Sequence, residues 1–165
     1  MLLRKRLESA FLAVIFLFSI VLIYNLYSTH KFNNNPLSQK ELDRIQSKEQ
    51  EVLRNMHNTF GFTQKFPLII TDKIPGKLYG LTSYENGHIK IYLNKKVMRE
   101  SMDYMVDEVI AHEYAHALLF FLRKSSHEDG GHSKLWQKTC IKLGGIDCKR
   151  YVNQHEIIMS KIPFQ

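Results

Sequence analysis

Residues 106–121 read VDEVIAHEYAHALLFF. From Met102 to Leu122 there is no Gly or Pro, and Val109, Ile110, Ala111, Ala115, Ala117, Leu118, Leu119, Phe120 and Phe121 cover nearly the whole circumference of a helix. A helix apolar on almost all sides is a buried one. Within it, His112-Glu113-Tyr114-Ala115-His116 forms an H-E-x-x-H pattern. Histidines at i and i+4 stand one turn apart on one face, so both imidazoles can reach a single zinc ion. The glutamate beside the first histidine can reach a water on that metal and take its proton. Polar groups in a buried helix need partners or a metal. The stretch therefore points to a zinc-dependent hydrolase, with His112 and His116 as ligands and Glu113 as general base.

Outward from this helix, the upstream sequence reads as a small sheet. Phe66 to Thr71 (FPLIIT) is a short apolar run rich in β-branched residues, and Asp72 to Gly76 (DKIPG) is a turn. Leu78 to Leu93 (LYGLTSYENGHIKIYL) alternates around Asn86-Gly87, a strong two-residue hairpin signal. Ile89, Ile91 and Leu93 are expected on one face, with His88, Lys90 and Tyr92 on the other. An edge strand of this hairpin is a candidate shelf for a substrate strand. Earlier still, Ser38-Gln-Lys-Glu41 is a capping box. It opens a helix with Leu42, Ile45, Val52, Leu53, Met56 and Phe60 at mostly helical spacing, ended by Gly61. This helix is expected to pack on the catalytic unit.

The first thirty residues differ in kind. Met1 to Arg6 is basic, and Ser9 to Thr29 (SAFLAVIFLFSIVLIYNLYST) contains no charged residue. A helix of this length spans about 30 Å, the thickness of a bilayer's hydrocarbon core. Tyr24 and Tyr27 fall where the far interface would lie. No convincing small-x-small cleavage site follows, so the segment reads as an uncleaved anchor in contact with the lipid bilayer. Arg4, Lys5 and Arg6 precede the span and only Lys31 follows it closely. The positive-inside rule then predicts a single-pass cell-membrane protein with a cytoplasmic N-terminus and an extracytoplasmic catalytic domain, periplasmic or extracellular. The expected divisions are 1–8 (cytoplasmic), 9–29 (transmembrane), 30–37 (linker) and 38–165 (catalytic).

The formal charge is +7, and +5 without the segment before Lys31, which holds Arg4, Lys5, Arg6 and Glu8. The lysines are scattered, which reads as a solvated basic surface, and nucleic acid is not expected as a partner. Cys140 and Cys148 are too far apart for a C-x-x-C motif. They are either a disulfide around Gly144-Gly145 or buried thiols. Downstream of the motif helix, Arg123 to Gly131 (RKSSHEDGG) is a polar loop. Ser133 to Leu143 is a short amphipathic helix, and Lys149 to Ile162 is expected to be a last one. Glu108, one turn before His112, is either a partner that orients an imidazole or a surface carboxylate.

A catalytic zinc has three protein ligands and an open position. For the third ligand the residues leave His127, Glu128, Asp129, His132, His155 and Glu156 open. Leu119 and Leu122 stand where a metzincin would carry Gly and His. The run HEYAHALLFFLRKSSHEDGGHSKLW resembles the core of the SprT-like zinc metallopeptidases, the SprT and Spartan group. In that family H-E-x-x-H is followed by a loop of similar length, a third-ligand histidine, and an aromatic residue four positions later. The resemblance implies that His132 is the third metal ligand and Trp136 the aromatic. Ser133 stands where the family usually has glycine and can cap the next helix. Sheet-then-helix order also suits the family. Many members carry a C-terminal zinc ribbon with paired C-x-x-C motifs, which Cys140 and Cys148 do not supply.

The resulting expectation is an α+β fold: an N-terminal transmembrane helix, then a small antiparallel sheet packed on a buried H-E-x-x-H helix, as a minimal zincin-like protease domain. The expected activity is that of a membrane-anchored, zinc-dependent endopeptidase acting on a protein or peptide substrate. Its alternatives are a cytoplasm-facing protease acting on nucleic-acid-associated proteins and a non-catalytic zinc-binding domain. Tyr79, Tyr84, Tyr92, Tyr151 and His127 are candidates for stabilising an oxyanion.

Overall fold

The computed structural model describes residues 2–74, 78–126 and 128–150. The chain divides into two compact units, Met1–Leu37 and Ser38–Gln165.

The first unit is one helix, α1 (Leu2–Asn34). It is long and apolar enough to cross a membrane, and its apolar side chains are exposed, Phe18 at 70%. The helix runs past the charge-free span to Asn34. The Asn34 and Asn35 amides donate back to the His30 and Lys31 carbonyls, so little of the Asn-rich spacer remains outside the helix.

The second unit is α+β. Helix α2 (Gln39–Phe60) begins at the expected capping box: the Ser38 amide donates to Glu41 Oε2 at 2.7 Å, and the Glu41 amide donates to Ser38 Oγ. Its buried stripe is Ile45, Glu49, Val52 and Met56, the i, i+4, i+7, i+11 spacing of one helix face. Strands β1 (Leu68–Thr71), β2 (Gly80–Glu85) and β3 (His88–Asn94) form a sheet in the order β1-β3-β2. β2 and β3 are the expected hairpin. Glu85 pairs with His88 across Asn86 and Gly87, whose φ angles are 51° and 82°, as a tight primed turn requires. Ile89, Ile91 and Leu93 are buried on one face.

The sheet is mixed, not antiparallel as the sequence suggested. β1 pairs parallel to β3, Leu68 opposite Ile91 and Thr71 opposite Asn94. The chain leaves β1, crosses to the far edge as β2, and returns through the middle as β3. A tight turn forces β2 and β3 antiparallel, whereas β1 is joined to β2 by a longer connection that sets no direction.

Asn94 ends β3 and caps α3 (Lys95–Tyr104): its Oδ1 accepts from the Lys96 amide, and its Nδ2 donates to the Leu78 carbonyl at 2.7 Å. The helical run expected from Met102 is not uniform. A π-turn (Met105–Val109), in which the Ile110 amide reaches the Met105 carbonyl, precedes α4 (Ile110–Phe121). Ile110, Ala111, Tyr114, Ala115, Ala117 and Leu118 are fully buried. Helix α5 (Lys134–Leu143) buries Trp136, Thr139, Cys140 and Leu143.

α2 fastens to both neighbours through polar groups. Lys48 Nζ and Asn55 Nδ2 donate to the Gly144 and Leu143 carbonyls, satisfying the open C-terminal end of α5. Tyr114 of α4 donates its hydroxyl to Glu49 at 2.7 Å, and Glu49 is paired with Lys65. Burial, then the Glu49 hydrogen bond and charge, push the Tyr114 phenol above its ordinary range, so it stays a donor. Cys140 and Cys148 form a disulfide, the first of the two readings open from sequence. Beside it, the buried Glu108 accepts the amides of Ile146, Asp147 and Cys148 at 2.8–3.3 Å. Glu108 is therefore neither a surface group nor aimed at an imidazole: it holds the segment after α5. The expected last helix, Lys149–Ile162, lies beyond the described residues from 151 onward.

Candidate metal centre

Helical spacing puts His112 and His116 side by side on α4, with Nε2 atoms 3.3 Å apart. The third histidine arrives from the loop before α5. A 3₁₀ turn (Glu128–Gly131) ends in Gly131, at φ 90°. A Cβ on Gly131 would stand 3.3 Å from His116 Cε1, so both the left-handed backbone and the close approach call for glycine. The chain then turns His132 inward. Its Nε2 lies 3.0 Å from that of His112 and 3.2 Å from that of His116. Ser133 caps α5, accepting the Trp136 amide.

Trp136 is the wall behind all three rings. It is 1% exposed, edge-on to His112 and His132 at centroid distances of 4.6 and 4.5 Å, and stacked on His116 at 5.2 Å. Its indole N–H donates to the His112 carbonyl.

Three Nε2 atoms within 3.3 Å of one another cannot be a closed ring of hydrogen bonds, because a neutral imidazole nitrogen is either donor or acceptor and not both. Three converging lone pairs instead suit a cation. Tetrahedral zinc with Zn–N distances of about 2.0–2.1 Å would separate its ligand nitrogens by roughly 3.4 Å, close to the observed triangle. Burial, then the His116 and His132 rings, lower the His112 pKa to about 2. Burial, then His132, lowers that of His116 to about 3. Both rings are thus held neutral, as metal ligands must be.

Glu113 is 6% exposed. Its carboxylate Oε2 lies 2.7 Å from the Thr82 hydroxyl of β2, which also lies 3.0 Å from the Glu113 carbonyl; its single hydrogen serves one acceptor at a time. Burial raises the Glu113 pKa to about 7, with the Thr82 hydrogen bond opposing. A carboxyl poised near neutrality suits a group that takes and returns a proton.

Neither Thr82 nor Gly80 stood out in the sequence as a site residue. A Cβ on Gly80 would stand 2.7–2.9 Å from Oε1, Cγ and Cδ of Glu113. The only local signal was an isolated glycine in a strand pattern, which often marks a close approach. Gly80→Ala is therefore expected to push the carboxylate off Thr82. Any reaction that uses this carboxylate should slow roughly tenfold to a hundredfold, while the melting temperature moves by only a few degrees. Steady-state kinetics beside a thermal melt check this; unchanged kcat would show that the carboxylate tolerates displacement.

Of the third-ligand candidates, the structure brings His132 to the pair. His127, His155 and Glu156 lie outside the described residues, as do the Glu128 and Asp129 side chains. Among the oxyanion candidates, Tyr79 packs edge-on against Tyr104 and Tyr84 stacks along Phe120. Tyr151 lies outside the described residues.

A family model described as the SprT-like family matches residues 37–157. Comparisons with curated proteins and with solved structures find no match.

Proposed function

The chain belongs to the SprT-like family, and from that premise we propose that it is a zinc-dependent endopeptidase with a zincin-like catalytic unit, held at a membrane by α1. The observation that carries the reading is the triangle of His112, His116 and His132 nitrogens with Glu113 next along the helix. The three imidazoles would hold Zn2+ as neutral ligands, with Trp136 fixing the rings. Zinc, when bound, supplies a Lewis acid that polarises a peptide carbonyl and lowers the pKa of water. Glu113 takes the proton of the attacking water and hands it to the leaving amine. Thr82 keeps that carboxylate in place. A metal-holding domain alone has no use for a buried, near-neutral carboxyl beside its ligands, which favours the catalytic reading over the non-catalytic one.

The exposed apolar surface of α1 would be covered by a bilayer. Arg4, Lys5 and Arg6 favour a cytoplasmic N-terminus. The Cys140–Cys148 disulfide suits an oxidising, extracytoplasmic compartment and weighs against a cytoplasmic role on nucleic-acid-associated proteins. The test uses the full chain in detergent or lipid discs. One zinc per chain is expected by elemental analysis, with casein hydrolysis lost on chelation and restored by added zinc. Hydrolysis that survives metal removal would overturn the zinc assignment. A phosphatase reporter fused after residue 30 should be active outside the cytoplasm.

A further inference from the structure

Phe120 of α4 stacks on His116, centroids 6.4 Å apart and planes 28° apart. Tyr84 of β2 in turn lies along Phe120, at 6.3 Å and 25°. The three rings form a file of near-parallel faces leading away from the histidine cluster. Two periodicities build it. Gly80, Thr82 and Tyr84 share one face of β2, and Glu113, His116 and Phe120 share one face of α4. Strand and helix run side by side, Gly80 and Thr82 against Glu113, and Tyr84 against Phe120.

Tyr84 is 58% exposed, so its ring is not there to fill the core. β2 is also an outer strand, pairing only with β3 among the described residues. Its other edge, unpaired among the described residues, offers backbone donors and acceptors to an extended peptide. A peptide laid along that edge with its reacting carbonyl at Glu113 passes Gly80 and Thr82 first. Two residues along an extended strand advance about 6.6–6.8 Å, the step from Thr82 to Tyr84.

We propose that Tyr84 and Phe120 form an apolar subsite that selects substrates carrying an aromatic or large aliphatic side chain two positions from the cleaved bond. This deepens the peptidase reading and rests on it. A small or acidic side chain at that position leaves the exposed Tyr84 ring in water, whereas a Phe or Leu covers it beside the half-buried Phe120. Discrimination of roughly tenfold to a hundredfold is expected for such an apolar contact.

The test uses the full chain and fluorogenic peptides that differ only in having Phe, Leu, Ala or Asp at one position. Wild type should cleave two residues from Phe or Leu, with a Phe-to-Ala ratio in kcat/KM of about ten to a hundred, set mainly in KM. Tyr84→Ser should bring that ratio near one, and Tyr84→Phe should restore it. Binding of the same peptides to the Glu113→Gln variant, read by fluorescence polarisation, should show the same preference without turnover. An unchanged ratio in Tyr84→Ser, or binding with no preference, overturns the subsite even if hydrolysis is robust. A Tyr84-dependent binding preference with no hydrolysis by wild type supports the subsite and sinks the peptidase reading instead.

Discussion

In the proposed peptidase, replacing Glu113 with glutamine is expected to lower peptide hydrolysis by about 10²–10⁴-fold and to leave the zinc content unchanged. The magnitude is that of a lost general base. Glutamine has the shape of glutamate, and its carbonyl oxygen can still accept from the Thr82 hydroxyl, so the strand-to-helix contact survives. The three imidazoles are untouched, and elemental analysis should give the wild-type zinc content. Folding is not the weak point either. In metal-free protein, burial raises the Glu113 pKa from 4.5 to about 7. The folded chain therefore keeps a proton that the unfolded chain releases. Wild type loses stability relative to Glu113→Gln as pH rises from about 4.5 to 7, and the difference is complete above that window. Thermal melts of the two chelated proteins at pH 4.5 and pH 7.5 measure it. A variant that hydrolyses casein at the wild-type rate would remove Glu113 from the reaction.

How far the sequence could lead depended on how local each feature was. The H-E-x-x-H histidines are joined by one helical turn, so spacing alone places them. The hairpin is written in Asn86-Gly87 and in the alternation of Ile89, Ile91 and Leu93. His132 needed the resemblance, because a loop intervenes and His127 sits in the same loop. Other features join residues far apart in the chain, and no local pattern encodes them. Gly80 and Thr82 meet Glu113 across about thirty residues. Glu108 meets the amides of 146–148 from nearly forty residues away, and both sequence readings of it missed that role. The parallel pairing of β1 with β3 follows from the order in which strands are laid down, which side-chain alternation does not record. The π-turn at Met105–Val109 adds one residue to a helical turn without a Gly or Pro to mark it. π-turns of this kind often sit at functional sites, and this one contains Glu108 and ends just before the first histidine.

Trp136 shows what those long-range contacts hold in place, and Trp136→Ala is expected to cost about 3–5 kcal/mol. The side chain is 1% exposed and touches all three histidine rings, so truncation leaves a cavity directly behind the three imidazoles. The His112 carbonyl also loses its indole donor. Against a total stability of about 5–15 kcal/mol for a domain, this is a large fraction, and the melting temperature should fall by on the order of 10–20 °C. The loss should not stop at stability. With the wall gone, the imidazoles regain ring freedom that zinc binding must then remove, so affinity should fall as well. Trp136→Phe separates the two parts. It refills much of the volume but supplies no N–H, so the expected cost is about 1–2 kcal/mol with zinc retained. Competition with a chelator, at a temperature where every variant is folded, should rank zinc affinity as wild type, Trp136→Phe, Trp136→Ala. If the alanine variant holds zinc as tightly as wild type under those conditions, the ring contacts stabilise the fold alone, and the three histidines are positioned by α4 and the Gly131 turn without the indole.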